Sequence, residues 1–221
     1  MLNSNFKEIN VFFSNLPEVK AEKGILQNKH HEFDVFEHTK KFVDYVSELT
    51  EDKNIIVAGW LHDIGKPITA KVELDKDNKP VENESGKPYH NFYNHENIGK
   101  DIVDSMDKKI FKKFGLDKEK ISILVGYHYL PMIGIKELRK TENFKDFVLS
   151  FNKLDNNLSN LEVAKKEILT MFLADKLAQG KFCMDKNELF LIRETLLKNN
   201  RTESDLRKIY DMQKTASGKK G

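Results

Sequence analysis

The sequence predicts an all-α domain, on three observations. Most segments place apolar residues at the 3.6-residue period of an amphipathic helix, turn-forming residues gather in one stretch, and neither an internal repeat nor a low-complexity linker divides the chain. Residues 1–214 are therefore expected to form a single domain, followed by a flexible tail over 215–221. With 221 residues, 39% of them hydrophobic, the chain is long enough to bury a sizeable core.

The elements follow in order. Phe6 to Phe13 reads as a short first helix that ends near Pro17. Val35 to Leu49 reads as an amphipathic helix with Val35, Phe42, Val43, Val46 and Leu49 on its apolar face. Asn54 to His62 is short and mostly apolar, as a central buried helix is. Pro67 to Phe92 differs, with three prolines, one glycine and the turn-like run Asp75-Lys76-Asp77-Asn78. Ile68 to Leu74 suits one strand of a small hairpin, so this stretch is expected to leave the helical body. Because it joins the residues around 62 to those around 95, it is expected to cover the site between them. Helices resume over 95–106, 117–129, 143–151, 161–179, 186–198 and 203–213. Apolar stripes on the last two suit internal packing or a second copy, which leaves the oligomeric state open.

Composition removes several function classes. Basic and acidic residues nearly balance at a formal +2, too small an excess for a nucleic-acid or membrane surface. The pairs Lys108-Lys109, Lys112-Lys113 and Arg139-Lys140 lie amid Asp107, Glu137 and Glu142, the pattern of a solvated surface. No apolar run reaches the length of a membrane span, and Met1 to Glu8 lacks a signal-peptide core, so a cytoplasmic protein is expected. One cysteine, Cys183, excludes an intramolecular disulfide and a cysteine-based zinc site.

Function is argued from the polar residues that interrupt the apolar stripes. His38 falls between Val35 and Phe42, and His62 shares a face with Ile55, Ala58 and Gly59, with Asp63 one step round. Asp175 sits in the stripe Ile168, Met171, Phe172, Ala178, and His128 in the stripe Ile121, Leu124, Val125. Inward ionisable groups destabilise a core unless they meet a partner. Facing helices can deliver His38, His62, Asp63 and Asp175 to one cation that accepts both nitrogen and oxygen. Each residue also has a plain reading: a hydrogen-bonded core histidine, a capping aspartate, a solvated helix-end lysine at Lys66. All of those must hold together if no metal binds. His95 joins the candidates by position, whereas His30, His31 and His90 lie in loop-like sequence and read as structural or exposed.

The ordered pattern H…HD…D resembles that of the HD-domain metal-dependent phosphohydrolases. Phe33-Asp34-Val35-Phe36-Glu37-His38-Thr39 resembles the segment with the first histidine, and Leu61-His62-Asp63-Ile64-Gly65-Lys66-Pro67 the dyad with its frequent trailing lysine. His95-Glu96-Asn97-Ile98-Gly99, Gly126-Tyr127-His128 and Phe172-Leu173-Ala174-Asp175 resemble the further histidines and the final ligand. The resemblance covers about residues 33 to 180 and is closest to HD domains attached to bacterial CCA-adding tRNA nucleotidyltransferases, although their nucleotidyltransferase domain is absent. Lys66 stands where alarmone hydrolases of the superfamily carry a Glu-Asp pair. The Gly-Tyr-Pro segment of cyclic-di-GMP phosphodiesterases and the His-Pro-Pro-Phe-Gly-His run of many deoxynucleotide triphosphohydrolases are also absent.

The resemblance implies an HD-type helical bundle that hydrolyses phosphomonoester or phosphodiester bonds of nucleotides or RNA ends, such as 2′,3′-cyclic phosphates, with a metal-activated water. Its metal ligands would be His38, His62, Asp63 and Asp175, with Asp63 bridging to a second ion held by His95 and His128. In a one-metal version His95 and His128 contact the phosphate instead. Asp63 and Lys66 would carry the catalytic role, with Lys66, His95 and His128 contacting substrate. The nitrogen-rich donor set suits manganese, iron, cobalt or nickel better than magnesium. The alternatives are a degenerate HD module that binds a nucleotide or partner without turnover, and an RNA-binding accessory protein.

Overall fold

The computed structural model describes residues 4–29 and 31–218; His30, residues 1–3 and the end of the expected tail, 219–221, lie outside them. The chain begins with α1 (Ser4–Ser14) and the single turn α2 (Pro17–Lys20). A loop then leads to α3 (Val35–Leu49), whose bounds are those the apolar period predicts. Asp34 fixes the start of α3 twice: Oδ1 accepts the Glu37 N–H at 2.8 Å, and Oδ2 accepts the Gly24 N–H at 2.9 Å, pinning the preceding loop. Next, α4 (Lys53–Leu61) is buried on all sides from Ile55 to Leu61, so it carries no amphipathic stripe and sits in the middle of the body. It packs against α1, where Trp60 Nε1 donates to Asn10 Oδ1 at 2.8 Å, and against α3.

One turn of helix, α5 (Lys66–Thr69), leads into β1 (Ala70–Val72), which pairs antiparallel with β2 (His90–Phe92) in the register Ala70 to Phe92. Between the strands the arm closes on itself through a ring of backbone bonds: Glu73 N–H to Tyr89 O, Tyr89 N–H to Val81 O and Val81 N–H to Glu73 O, at 2.8–2.9 Å. Two like turns form its tips. Asp75 Oδ1 accepts the N–H groups of Asp77 and Lys79, and Asn83 Oδ1 those of Ser85 and Lys87. Each turn places a left-handed residue, Asn78 or Gly86, before a Lys-Pro pair. The same turn thus occurs twice within one arm, eight residues apart.

The helical body resumes with α6 (His95–Ser105), α7 (Lys108–Lys113) and α8 (Lys118–Tyr127). The segment expected as one helix over 117–129 ends at Tyr127, and a new helix, α9 (Leu130–Lys140), follows with Pro131 in its first turn. Then come α10 (Phe144–Ser159), longer than its apolar period suggests, α11 (Lys165–Leu177), α12 (Lys186–Leu197) and α13 (Glu203–Gly218). The last helix runs on through Thr215 to Gly218, the first residues of the expected tail. Leu189, Ile192, Leu196, Leu206 and Ile209 are buried, so the stripes of α12 and α13 are consumed inside the chain. Among the described residues no helix is long and apolar enough to cross a membrane.

Positioning of the site follows from these contacts. α3, α4, α8 and α11 share one core, and α6 lies along α8. The crossing of α5 with α6 is close because Gly65 has no side chain: a Cβ there would stand 2.1 Å from the His95 carbonyl oxygen and 2.7 Å from the Gly99 nitrogen.

Candidate metal centre

Six residues singled out in the sequence converge where α3, α4, α6, α8 and α11 meet. His38, His62 and Asp175 offer donor atoms within 4.8 Å of one another, and so do Asp63, His95 and His128. Asp63 stands between the two groups. Its Oδ2 is 3.1 Å from His62 Nε2 and 3.7 Å from His38 Nε2, while its Oδ1 is 3.5 Å from His95 Nε2 and 4.0 Å from His128 Nε2.

The four imidazoles are held in the same way. Nδ1 faces a backbone carbonyl in each: Ala178 at 3.3 Å for His38, Gly59 at 2.8 Å for His62, Phe92 at 2.9 Å for His95 and Val125 at 2.7 Å for His128. A carbonyl only accepts, so Nδ1 carries the proton and each neutral ring turns the lone pair of Nε2 inward. Three of the four carbonyls lie three residues before their histidine. His62 and His128 follow the last residues of α4 and α8, where the helix leaves such carbonyls free. Phe42 stacks on the His62 ring at 4.2 Å between centroids, in space left by Gly59, where a Cβ would meet the Phe42 ring at 2.8 Å.

At His38, His95 and His128 the electrostatics favour the neutral imidazole, and at Asp63 and Asp175 the ionised carboxylate. Burial lowers His38 and His95, and with His62 and His95 as neighbours it pushes His128 down to about 3. Burial alone would raise Asp63, but His62 and Lys66 beside it outweigh burial and hold the carboxyl well below the usual carboxylate range. At Asp175 burial is likewise outweighed, by Lys176 and His38.

This arrangement fits a divalent metal. Four inward lone pairs and two carboxylates are all acceptors, and His62 Nε2 is buried with no hydrogen-bond partner. Acceptors crowded to 3–4 Å repel one another unless a cation lies among them, and the carbonyl behind each histidine is the support that metal-binding imidazoles use.

Lys66 is buried rather than solvated. Its Nζ is 2.7 Å from Asp63 Oδ2 and donates to Gln27 Oε1 at 2.7 Å. Sequence reasoning missed Lys176, which is 3% exposed on α11 with Nζ 3.0 Å from Asp175 Oδ2. A lysine on a helix that is otherwise apolar all round was the available signal. It also missed Glu22, fully buried, whose carboxyl is pushed well up by burial and by the charge of Asp63. His31, read as structural or exposed, lies half-buried with its ring 5.6 Å from that of His38, whereas His90 binds the Leu26 carbonyl at 3.0 Å away from the cluster. Asn94 precedes α6 in a left-handed conformation, and its side chain binds Asn97 rather than capping the helix.

The cluster forms the floor of a cleft of about 980 Å³ walled by Phe92, Tyr93, Tyr129, Met132 and Ile133, with Lys136 and Arg139 farther out on α9. Of the β arm, only Asn91 and Phe92 line it, so the arm does not cover the site as expected. A second hollow of about 1000 Å³ beside α6 and α8 contains none of the donor residues, and two of its lysines are engaged locally, Lys100 with Asp104 and Lys118 with two carbonyls. The basic pairs at 108–109, 112–113 and 139–140 are exposed.

Comparison with known proteins points to one family. The family model described as HD domain matches residues 35–180. An A-adding tRNA nucleotidyltransferase of Deinococcus radiodurans is 25% identical over 119 residues, which is 53% of this chain and 25% of that protein. The chain thus spans about a quarter of the relative's length.

Proposed function

The chain belongs to the HD-domain family, and on that premise we propose that it is a metal-dependent phosphohydrolase cleaving phosphomonoester or phosphodiester bonds of nucleotides or RNA ends, 2′,3′-cyclic phosphates included. The observation that carries the reading is Asp63, whose two oxygens face two separate groups of inward donors. His38, His62, Asp63 and Asp175 would hold one ion, and Asp63, His95 and His128 a second. With four nitrogen donors, manganese, iron, cobalt or nickel suits the set better than magnesium.

A bound divalent metal supplies Lewis acidity at the phosphoryl oxygen and brings the pKa of a coordinated water toward neutrality. The chain's own residues do the rest. Bonds from Nδ1 to backbone carbonyls fix each imidazole before anything binds, so little reorganisation is left for the reaction. Lys66, one helical turn after Asp63 and 2.7 Å from its carboxylate, would set an ammonium against the negative charge that develops on the phosphoryl oxygens. Tyr129, Met132 and Phe92 form an aromatic and apolar wall suited to a nucleoside. The relative named as a tRNA nucleotidyltransferase makes RNA ends a substrate to assay beside mononucleotides.

The reading is tested by assaying purified protein on p-nitrophenyl phosphate, bis-p-nitrophenyl phosphate, a 5′-mononucleotide and a nucleoside 2′,3′-cyclic phosphate, with manganese, cobalt and nickel in turn. Turnover that chelation abolishes and metal restores is expected. No turnover of any ester with any metal would contradict it.

A further inference from the structure

Each carboxylate of the centre already has its own buried lysine. Asp63 is paired with Lys66 at 2.7 Å and Asp175 with Lys176 at 3.0 Å, and the two lysines are 7% and 3% exposed. The four side chains cancel in charge. The nearest other acid in the cleft, Glu96, lies 3.4 Å from His95 on its Nδ1 side, away from the donor face. Farther along the cleft, Glu188 is answered by Arg139 at 2.8 Å. A divalent metal therefore brings positive charge that no acidic side chain at the floor is left to meet. Such charge must be met by what enters the cleft, since unbalanced charge in a poorly solvated site is costly.

The donors lead to the same end. An ammonium has three N–H groups. Lys66 donates one to Gln27 and stands 2.7 Å from Asp63 Oδ2, whereas Lys176 stands 3.0 Å from Asp175 Oδ2. Both ammonium groups line the cleft, with N–H groups left for a ligand that enters it. A monoester phosphoryl group carries three non-bridging oxygens and two negative charges near neutrality, whereas a diester carries two and one.

We propose that Lys66 and Lys176 form a two-lysine clamp that makes the site select dianionic phosphomonoesters over monoanionic diesters, with Lys176 as the specificity-determining residue. The inference rests on the phosphohydrolase reading and narrows it to one class of ester.

The test is calorimetric binding to manganese-loaded protein, using phenyl phosphate and methyl phenyl phosphate, which share the ring and differ in charge. Wild type is expected to bind the monoester about tenfold tighter or more, the range of a hydrogen bond to a charged group. Lys176→Met is expected to lose about tenfold for phenyl phosphate while keeping its metal content and its affinity for the diester, and Lys176→Arg to recover most of the loss. Equal affinity of wild type for the two esters overturns the clamp even if Lys176→Met fails to fold, and so does an equal loss for both esters in the variant. Metal retained with the diester preferred sinks the clamp and leaves the phosphohydrolase reading standing. A wild type that holds no metal and binds neither ester overturns both.

Discussion

His38 and Asp175, 137 positions apart, meet with Nε2 and Oδ1 at 3.1 Å. The contact joins α3 to α11, and the same imidazole holds the Ala178 carbonyl just past the end of α11 through Nδ1. Through Nδ1 the ring ties α3 to the end of α11, and Nε2 is left to share a cation with Asp175. A centre assembled from residues so far apart exists only where these helices are packed, so metal binding is coupled to folding.

His62→Ala and Asp63→Ala are each expected to abolish metal binding and turnover while leaving a helical protein. His62 stacks on Phe42 and contributes to the donor group with His38 and Asp175, and Asp63 faces both donor groups. Far-ultraviolet circular dichroism checks the fold, and metal analysis with an ester assay checks the rest. Turnover at the wild-type rate in either variant would remove that residue from the proposed ligand set.

Gly65→Ala is expected to destabilise the protein by about 1–3 kcal/mol, the usual cost of overpacking a tight contact. The added methyl meets backbone, the His95 carbonyl and the Gly99 nitrogen, rather than a side chain that can rotate away. Because α6 must shift, His95 moves with it, and affinity for the metal held with Asp63 and His128 should fall. Urea denaturation and metal titration measure the two effects, and an unchanged unfolding midpoint would contradict the packing argument.

Replacing residues 73–89 with an Asn-Gly turn between Val72 and His90 is expected to preserve the fold, the metal content and the hydrolysis of small esters. Those two residues already pair across the sheet, and Asn-Gly closes a two-residue hairpin. The excised segment bonds largely to itself and lines no part of the cleft. Loss of metal from the shortened protein would show that the arm supports the site.

Acid should unfold the metal-free protein early. Burial pushes His31 down to about 2 and His128 to about 3 from an ordinary 6.5. Between the ordinary value and those depressed ones the unfolded chain binds protons that the folded chain does not, so stability rises with pH in that window. The contribution is complete above about pH 6.5 and is lost progressively as pH falls toward 3. Denaturation midpoints at pH 7.5 and 5.5 are expected to differ in favour of the higher pH. His128→Gln should flatten the difference, and a midpoint that does not fall on acidification would contradict this.

Much of the fold and of the donor set is legible in the sequence because burial leaves a period there. His38 interrupts the face that Val35 and Phe42 define, and α3 runs over the predicted residues. The helix boundary at His128 is marked too, by Pro131, but the apolar run Leu124-Val125 continuing toward Tyr129 hides it. α7 has six residues, too few for a period, and only its cap Asp107 marks it. Lys176 escapes because residues beside a ligand on a fully buried helix have no face by which to judge them. The two-sided placement of Asp63 is expected from the family resemblance rather than from spacing, because two oxygens of one side chain leave no period.

The central claim is that two donor groups sharing Asp63 hold two metal ions, and metal stoichiometry tests it most directly. Wild-type protein loaded with manganese or nickel and freed of excess should carry two equivalents per chain by inductively coupled plasma mass spectrometry. His95→Ala and His128→Ala should each carry one and lose nearly all turnover. Lys66→Ala should keep both ions and lose turnover by about 10²–10³, as removal of a single charge-stabilising donor does. One equivalent in wild type, full activity with that one ion, and unchanged metal content in both histidine variants would contradict the account.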